Sequence, residues 1–278
     1  MPFVQLAQLR VHYESAGAGA RATVFVHGNF ASSLWWAPLL ARVPAGARAF
    51  APSTRGCGQT ETTRGGYAIT ELARDLESFT RAVGLERFAL VGHSLGGAIA
   101  TQLAADFPER VASLLLVAPA PTAGISTLAG SQSDLSRFLR LFCAEDPAEL
   151  AALGTLLRWG QIFGGYRRSL RQGLRELAGD LAPAELEALV DEAALLSPEP
   201  IVGFLAALQH WRPQEELKRV RAPVTVLWGD LDRIIPREAA AATAADFPDG
   251  RLVVWEGVGH SPQLERPDEF ARFAFGLV

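Results

Sequence analysis

The chain has 278 residues, 49% of them hydrophobic and 20% charged, with a formal net charge of −4. That is room for one sizeable α/β domain with an insertion or for two small domains, and it carries no basic footprint for nucleic acid or an anionic membrane. Two cysteines, Cys57 and Cys143, cannot make a disulfide framework and match no zinc-ligand spacing. Residues 1–6 lack the basic and long apolar regions of a signal peptide, and no stretch reaches transmembrane length without a charge, so a cytoplasmic protein is the expectation.

In chain order, residues 3–13 read as a strand and residues 21–26 as another, the second ending in His27-Gly28-Asn29-Phe30. Residues 48–52 form a further strand that runs into the glycine-rich turn Ser53-Thr54-Arg55-Gly56-Cys57-Gly58. Leu72, Leu76, Phe79 and Val83 fall at helical spacing and predict an amphipathic helix over 69–83. Residues 87–91 are a short apolar run typical of a buried strand, and 97–105 are small residues with good helix propensity. Residues 111–117 form another buried strand. Strands that alternate with helices, and are apolar nearly throughout, predict a parallel sheet covered on both faces.

After Ala118-Pro119-Ala120-Pro121 the character changes. From 131 to about 210 the patterning is helical only, broken at Pro147, Gly164-Gly165, Pro183 and Pro198/Pro200. The β/α alternation resumes with strands at 223–228 and 251–255 and a helix from about Pro267. A helical block between two strands of one sheet is an insertion. Residues 121–212 are therefore expected to form a lid over the sheet's C-terminal edge, where ligands bind in open parallel sheets. Residues 1–120 and 213–278 make up the core.

Between the strand at 87–91 and the helix at 97–105 stands Gly92-His93-Ser94-Leu95-Gly96. Strand, G-x-S-x-G and helix form the context of a nucleophile elbow, a turn tight enough that only small residues fit two positions either side of the serine. A serine hydroxyl also needs a base and an orienting carboxylate, which follow an elbow in the order Asp/Glu, then His. Gly229-Asp230-Leu231-Asp232 follows one late strand and Gly257-Val258-Gly259-His260 the next, so both loops share a sheet edge with Ser94.

Taken with His27-Gly28 and Arg55-Gly56-Cys57-Gly58, these motifs resemble the α/β-hydrolase superfamily, in its capped bacterial serine-hydrolase (carboxylesterase-like) branch. The resemblance spans nearly all of the chain outside the lid. It implies a mostly parallel eight-stranded sheet with helices on both faces and a helical lid inserted after strand 6. It implies Ser94 as nucleophile, His260 as base and Asp232, of the G-x-x-D pattern, as the orienting acid, with Asp230 as the alternative. The oxyanion hole would be the backbone N–H groups of Asn29 and Leu95, with Phe30 as the other choice of second donor. Ser53 stands where the family pattern begins its glycine turn with Asp.

The other histidines have plainer readings: His93 packs or bonds locally beside the nucleophile, His27 braces the oxyanion loop, and His12 and His210 are structural or superficial. Cys57 reads as a small apolar residue. No metal and no cofactor is expected, since neither zinc nor nucleotide-binding spacings occur. Phe138, Phe142, Trp159, Phe163 and Tyr166 in the lid, with Phe30, Trp35 and Trp36, suggest a fairly hydrophobic substrate, although most such residues belong in a core. The lid arginines, Arg137, Arg140, Arg158, Arg167, Arg168, Arg171 and Arg175, read as solvated and paired rather than as a carboxylate site. The expected function is hydrolysis of a small-molecule carboxylic ester or lactone through an acyl-enzyme, by a monomer or homodimer without nucleic-acid or membrane partners. Carbon–carbon bond hydrolysis, acyl transfer or cyclisation, and non-catalytic ligand reception are the alternatives.

Overall fold

A computed structural model describes residues 2–125, 128, 147–163 and 165–276. Eight strands form one sheet: β1 (Phe3–Gln5), β2 (Arg10–Gly17), β3 (Arg21–Val26), β4 (Ala47–Pro52), β5 (Phe88–His93), β6 (Val111–Val117), β7 (Val224–Gly229) and β8 (Gly250–Trp255). Their order is β1-β2-β4-β3-β5-β6-β7-β8. The pairs β1–β2 and β2–β4 are antiparallel, and every pairing from β4 to β8 is parallel. The expected strand over 3–13 is in fact two, because the chain reverses at Ala7-Gln8. The Leu6 N–H donates to the Leu9 carbonyl at 2.9 Å, and both leucine side chains turn into the core.

Alternate residues of the central strands serve opposite faces, as the pleat dictates. Val24, Val26, Leu90, Leu114, Leu116 and Val226 join one buried cluster with α2 (Ile69–Ala82) and α3 (Leu95–Asp106). Phe25, Val91, Leu115, Val117 and Leu227 join the other. That second face is closed by Trp36 of a short 3-10 turn (Ser33–Trp36), by Leu39 of α1 (Ala37–Leu40) and by Phe270 and Phe275 near the C-terminus. Trp36 packs there with its ring 4.9 Å from that of Phe25.

Between β6 and β7 come α4 (Pro147–Phe163), α5 (Tyr166–Ala178), α6 (Pro183–Ala194), α7 (Pro198–His210) and the single turn α8 (Gln214–Leu217). The prolines that break the helical pattern start helices instead of interrupting them. Pro183 and Pro198 occupy first-turn positions, where the missing N–H has no intrahelical partner to lose. Leu174, Val190, Ile201, Phe204 and Leu205 are buried and continuous with the sheet's first cluster, so these helices share a core with the strands. After β7 come α9 (Arg237–Ala245), then β8, the single turn α10 (Pro262–Glu265) and α11 (Pro267–Gly276).

Candidate active site

Ser94 sits between β5 and α3 with φ 53° and ψ −117°, a conformation L side chains rarely adopt. Its surroundings over-determine it. The Ser94 N–H donates to Val117 O at 3.0 Å, and its carbonyl accepts from Gly97 at 2.9 Å and Ala120 at 3.0 Å. A Cβ at Gly96 would lie 2.3 Å from the Val26 carbonyl oxygen, and one at Gly92 would lie 2.4 Å from that of Gly96. The elbow closes only because both positions carry hydrogen alone.

Asp232 and His260 come together. Asp232 Oδ2 accepts from His260 Nδ1 at 2.9 Å, and both side chains are fully buried. The other carboxylate oxygen, Oδ1, accepts the Ile234 and Ile235 N–H groups at 2.8 and 3.1 Å. This fixes the carboxylate and leaves Nδ1 of His260 carrying a proton, so Nε2 is the ring nitrogen with a free lone pair. That Nε2 is buried and, among the described residues, has no hydrogen-bond partner, Ser94 included. Asp230 lies apart: it is exposed and accepts the Gly257 N–H at 2.6 Å. His93 brings the elbow against the His260 loop, its ring centroid 4.9 Å from that of His260.

The loop after β3 approaches from the other side. A Cβ on Gly28 would lie 2.9 Å from His93 Nδ1 and 3.1 Å from Ser94 Cβ, so this glycine allows the backbone to run beside the serine. Phe30 has φ 58° and gives its N–H to Asn29 Oδ1 at 2.9 Å. The Phe30 donor is therefore occupied. Among the described residues the N–H groups of Asn29 and Leu95 donate to nothing.

His27 braces this loop. Its Nδ1–H donates to the Gly28 carbonyl at 2.8 Å, and Nε2 accepts the Thr54 N–H at 2.9 Å. Burial lowers its pKa from 6.5 to about 4, against a smaller raising effect of the Gly28 carbonyl. Ser53, in place of the family's Asp, accepts the Ser33 N–H at 3.1 Å. Burial raises the Cys57 thiol to about 12, so it is a protonated, inert filler. Among the described residues no three His, Cys, Asp or Glu side chains gather as a metal-ligand set, and no helix is long and apolar enough to cross a membrane.

The model of the α/β-hydrolase-fold family matches residues 23–267, which takes in every loop just described. The chain belongs to that family. The α/β-hydrolase chain is 31% identical over 270 residues to an uncharacterised protein of Mycobacterium tuberculosis, covering 93% of this chain and 75% of that one. It is 29% identical over 287 residues to 2-hydroxy-6-oxo-6-phenylhexa-2,4-dienoate hydrolase of Comamonas testosteroni, covering 98% and 92%. Among solved structures it is similar in fold to the enol-lactonase of Burkholderia xenovorans LB400, with TM-score 0.80, 19% identity and 99% of each chain covered.

Some of this α/β hydrolase's site is invisible to motif reading. The bond of His93 is long-range where a local one was expected: its Nε2–H donates to the His260 carbonyl at 3.0 Å, and the ring stacks on Trp35 at 5.8 Å. Burial holds His93 well below the usual histidine range, and its neighbours His260 and His27 push it further down. Glu192 of α6 is a second surprise, its carboxyl raised by burial and partly relieved by the Ser32 hydroxyl. A carboxyl that reaches the loop after β3 from the helical block leaves no local pattern.

The aromatic and basic residues of the block divide plainly. Trp159 is 60% exposed, and Tyr166 is buried with its hydroxyl unpartnered among the described residues. Arg158 pairs with Glu199, Arg167 with Asp191 and Arg171 with Glu187. Arg137, Phe138, Arg140, Phe142 and Cys143 lie outside the described residues, as does the side chain of Phe163.

Proposed function

We propose that this protein is a serine hydrolase that cleaves a carboxylic ester or lactone of a small, fairly hydrophobic substrate. The observation that carries the reading is the buried Asp232–His260 pair with Nε2 unpartnered, its loop in contact with the strained Ser94 elbow. An unpartnered ring nitrogen alone does not mark a base, since His93 Nδ1 is also buried and unpartnered among the described residues; what supports the reading is the free Nε2 together with the Asp232 carboxylate on Nδ1 and the adjacent Ser94 elbow.

In the proposed mechanism Ser94 Oγ attacks the carbonyl carbon while His260 Nε2 accepts its proton. Asp232 keeps the imidazole in the required tautomer and stabilises the imidazolium. The negative charge on the tetrahedral oxygen falls to the N–H groups of Leu95 and Asn29, each worth about 3 kcal/mol in the transition state. Leu95 is the first residue of α3, so the helix dipole adds to its donor. His260 then protonates the leaving group and deprotonates the water that resolves the acyl-enzyme. Residues 121–212 act as a cap over the sheet edge and supply the apolar side of the pocket.

The test is turnover of a p-nitrophenyl ester series, acetyl to long acyl, by wild type and Ser94→Ala. Activity lost in the variant, with a fluorophosphonate adduct on Ser94 of the wild type by mass spectrometry, supports the reading. Equal turnover by both proteins overturns it. A second reading is carbon–carbon bond hydrolysis on the same three residues, favoured by the identity with the Comamonas testosteroni dienoate hydrolase. Wild type that is labelled by the fluorophosphonate, yet cleaves no ester of any length and does cleave a vinylogous diketone, moves the assignment there.

A further inference from the structure

His260 belongs to neither a helix nor a strand; it lies between β8 and the four-residue turn α10. A ring in such a loop points only as steadily as its backbone is tied down. Glu265 ties it on both sides. Its Oε2 accepts the Gly259 N–H at 2.8 Å and its Oε1 accepts the Ser261 N–H at 3.1 Å. The residues before and after His260 therefore hang from one planar carboxylate, and charged acceptors make the stronger bonds. The His260 carbonyl is held in turn by His93.

Closing the turn of α10 does not account for this arrangement. A carboxylate that merely capped α10 would need the Ser261 N–H, the residue at its N-cap. The Gly259 N–H lies outside the turn, on the far side of His260. A Cβ at Gly259 would sit 3.0 Å from Glu265 Oε1, so the carboxylate comes close against that backbone.

The same side chain also meets the cap. Gly179, which ends α5 with φ +71°, lies so close that a Cβ there would be 2.6 Å from Glu265 Cγ. Beside it, the Ser261 hydroxyl donates to the carbonyl of Leu177 in the last turn of α5.

We propose that Glu265 is a positioning residue for His260: it sets the direction of Nε2 and seats the α5–α6 turn of the cap on the loop of the base. The proposal rests on the reading of Ser94, Asp232 and His260 given above. A misplacement of the ring by about 1 Å costs up to about 100-fold in turnover. Because the clamp acts through the geometry of the base, its loss falls on kcat and leaves substrate binding nearly alone.

The experiment compares wild type, Glu265→Ala, Glu265→Gln and Gly179→Ala with a p-nitrophenyl ester, counting reactive sites by fluorophosphonate titration. The alanine variant is expected to lower kcat per reactive site by up to about 100-fold. The glutamine variant, which keeps one acceptor oxygen, is expected to recover part of that loss. Gly179→Ala, which leaves the carboxylate in place and crowds it from the cap, is expected to lower kcat in the same sense. KM should change by less than about twofold in all three. Fewer reactive sites, each with wild-type kcat, would make Glu265 a packing residue and overturn the proposal. Full turnover by Ser94→Ala would instead defeat the hydrolase reading beneath it, so the two failures are distinguishable.

Discussion

Two loops at one sheet edge each bury a histidine, and they use it differently. In the loop after β3, both nitrogens of His27 are bonded, Nδ1 to Gly28 and Nε2 to Thr54. In the loop after β8, His260 bonds only Nδ1, to Asp232, and Nε2 is left without a partner among the described residues. Burial is common to both, so burial does not distinguish a brace from a base. The carboxylate partner does: Asp232 holds Nδ1 of His260, whereas a carbonyl holds Nδ1 of His27, and His93, which also has one nitrogen unpartnered among the described residues, bonds a carbonyl. A ring tied to carbonyl and N–H groups stiffens a loop, whereas a ring with a carboxylate on one nitrogen can take a proton at the other with the resulting charge compensated.

The largest effects should come from breaking the His260 side of this pair. Asp232→Asn is expected to lower turnover about 10⁴-fold, because the amide stabilises the wrong tautomer and gives no charge to the imidazolium. Asp230→Asn should leave turnover within about twofold, since its carboxylate serves the exposed Gly257 N–H. Ester kinetics on both variants check the contrast.

Next is the approach of the two loops. Gly28→Ala is expected to reduce kcat by about 100-fold, the cost of displacing one oxyanion donor, because its methyl would press on His93 and Ser94. A variant with wild-type kcat would show that the loop after β3 does not supply the donor.

The His27 side should express itself in stability. With a folded pKa of about 4 against 6.5 for the free group, the unfolded chain binds more protons than the folded one between those values. Stability therefore rises with pH through this window, and acidification from about 6.5 to 4 removes about 3 kcal/mol. His93, also depressed, acts in the same direction. Urea unfolding of wild type and His27→Gln across the window should show a shallower pH slope in the variant. The smallest effect is expected at Cys57: buried and protonated, it should take up no iodoacetamide in the native protein, as peptide mapping would show.

The strands and the elbow were legible because each is written in a few adjacent residues. Gly92 and Gly96 announce their turn because a Cβ at either would strike backbone. Pro183 and Pro198 mark helix starts because a first-turn N–H is dispensable. The apparent strand at 3–13 was misread because its alternation continues through a reversal whose sign, the Leu6–Leu9 bond, is a backbone contact and not a residue type. Glu265 had a faint local signal, a serine four residues ahead of a glutamate at a helix start, one step longer than a capping box.

The sequence by itself thus determined the family, the mostly parallel sheet and the identities of the residues expected at the site. Tertiary structure placed Asp232, the acid the resemblance implied, and not Asp230 on His260, and it alone brought Glu265 between the loop of His260 and the helical block. The reason is physical. Local steric demands on the backbone leave their mark on neighbouring residues, whereas a hydrogen bond such as His93 to His260, spanning 167 positions, places no constraint on the residues between.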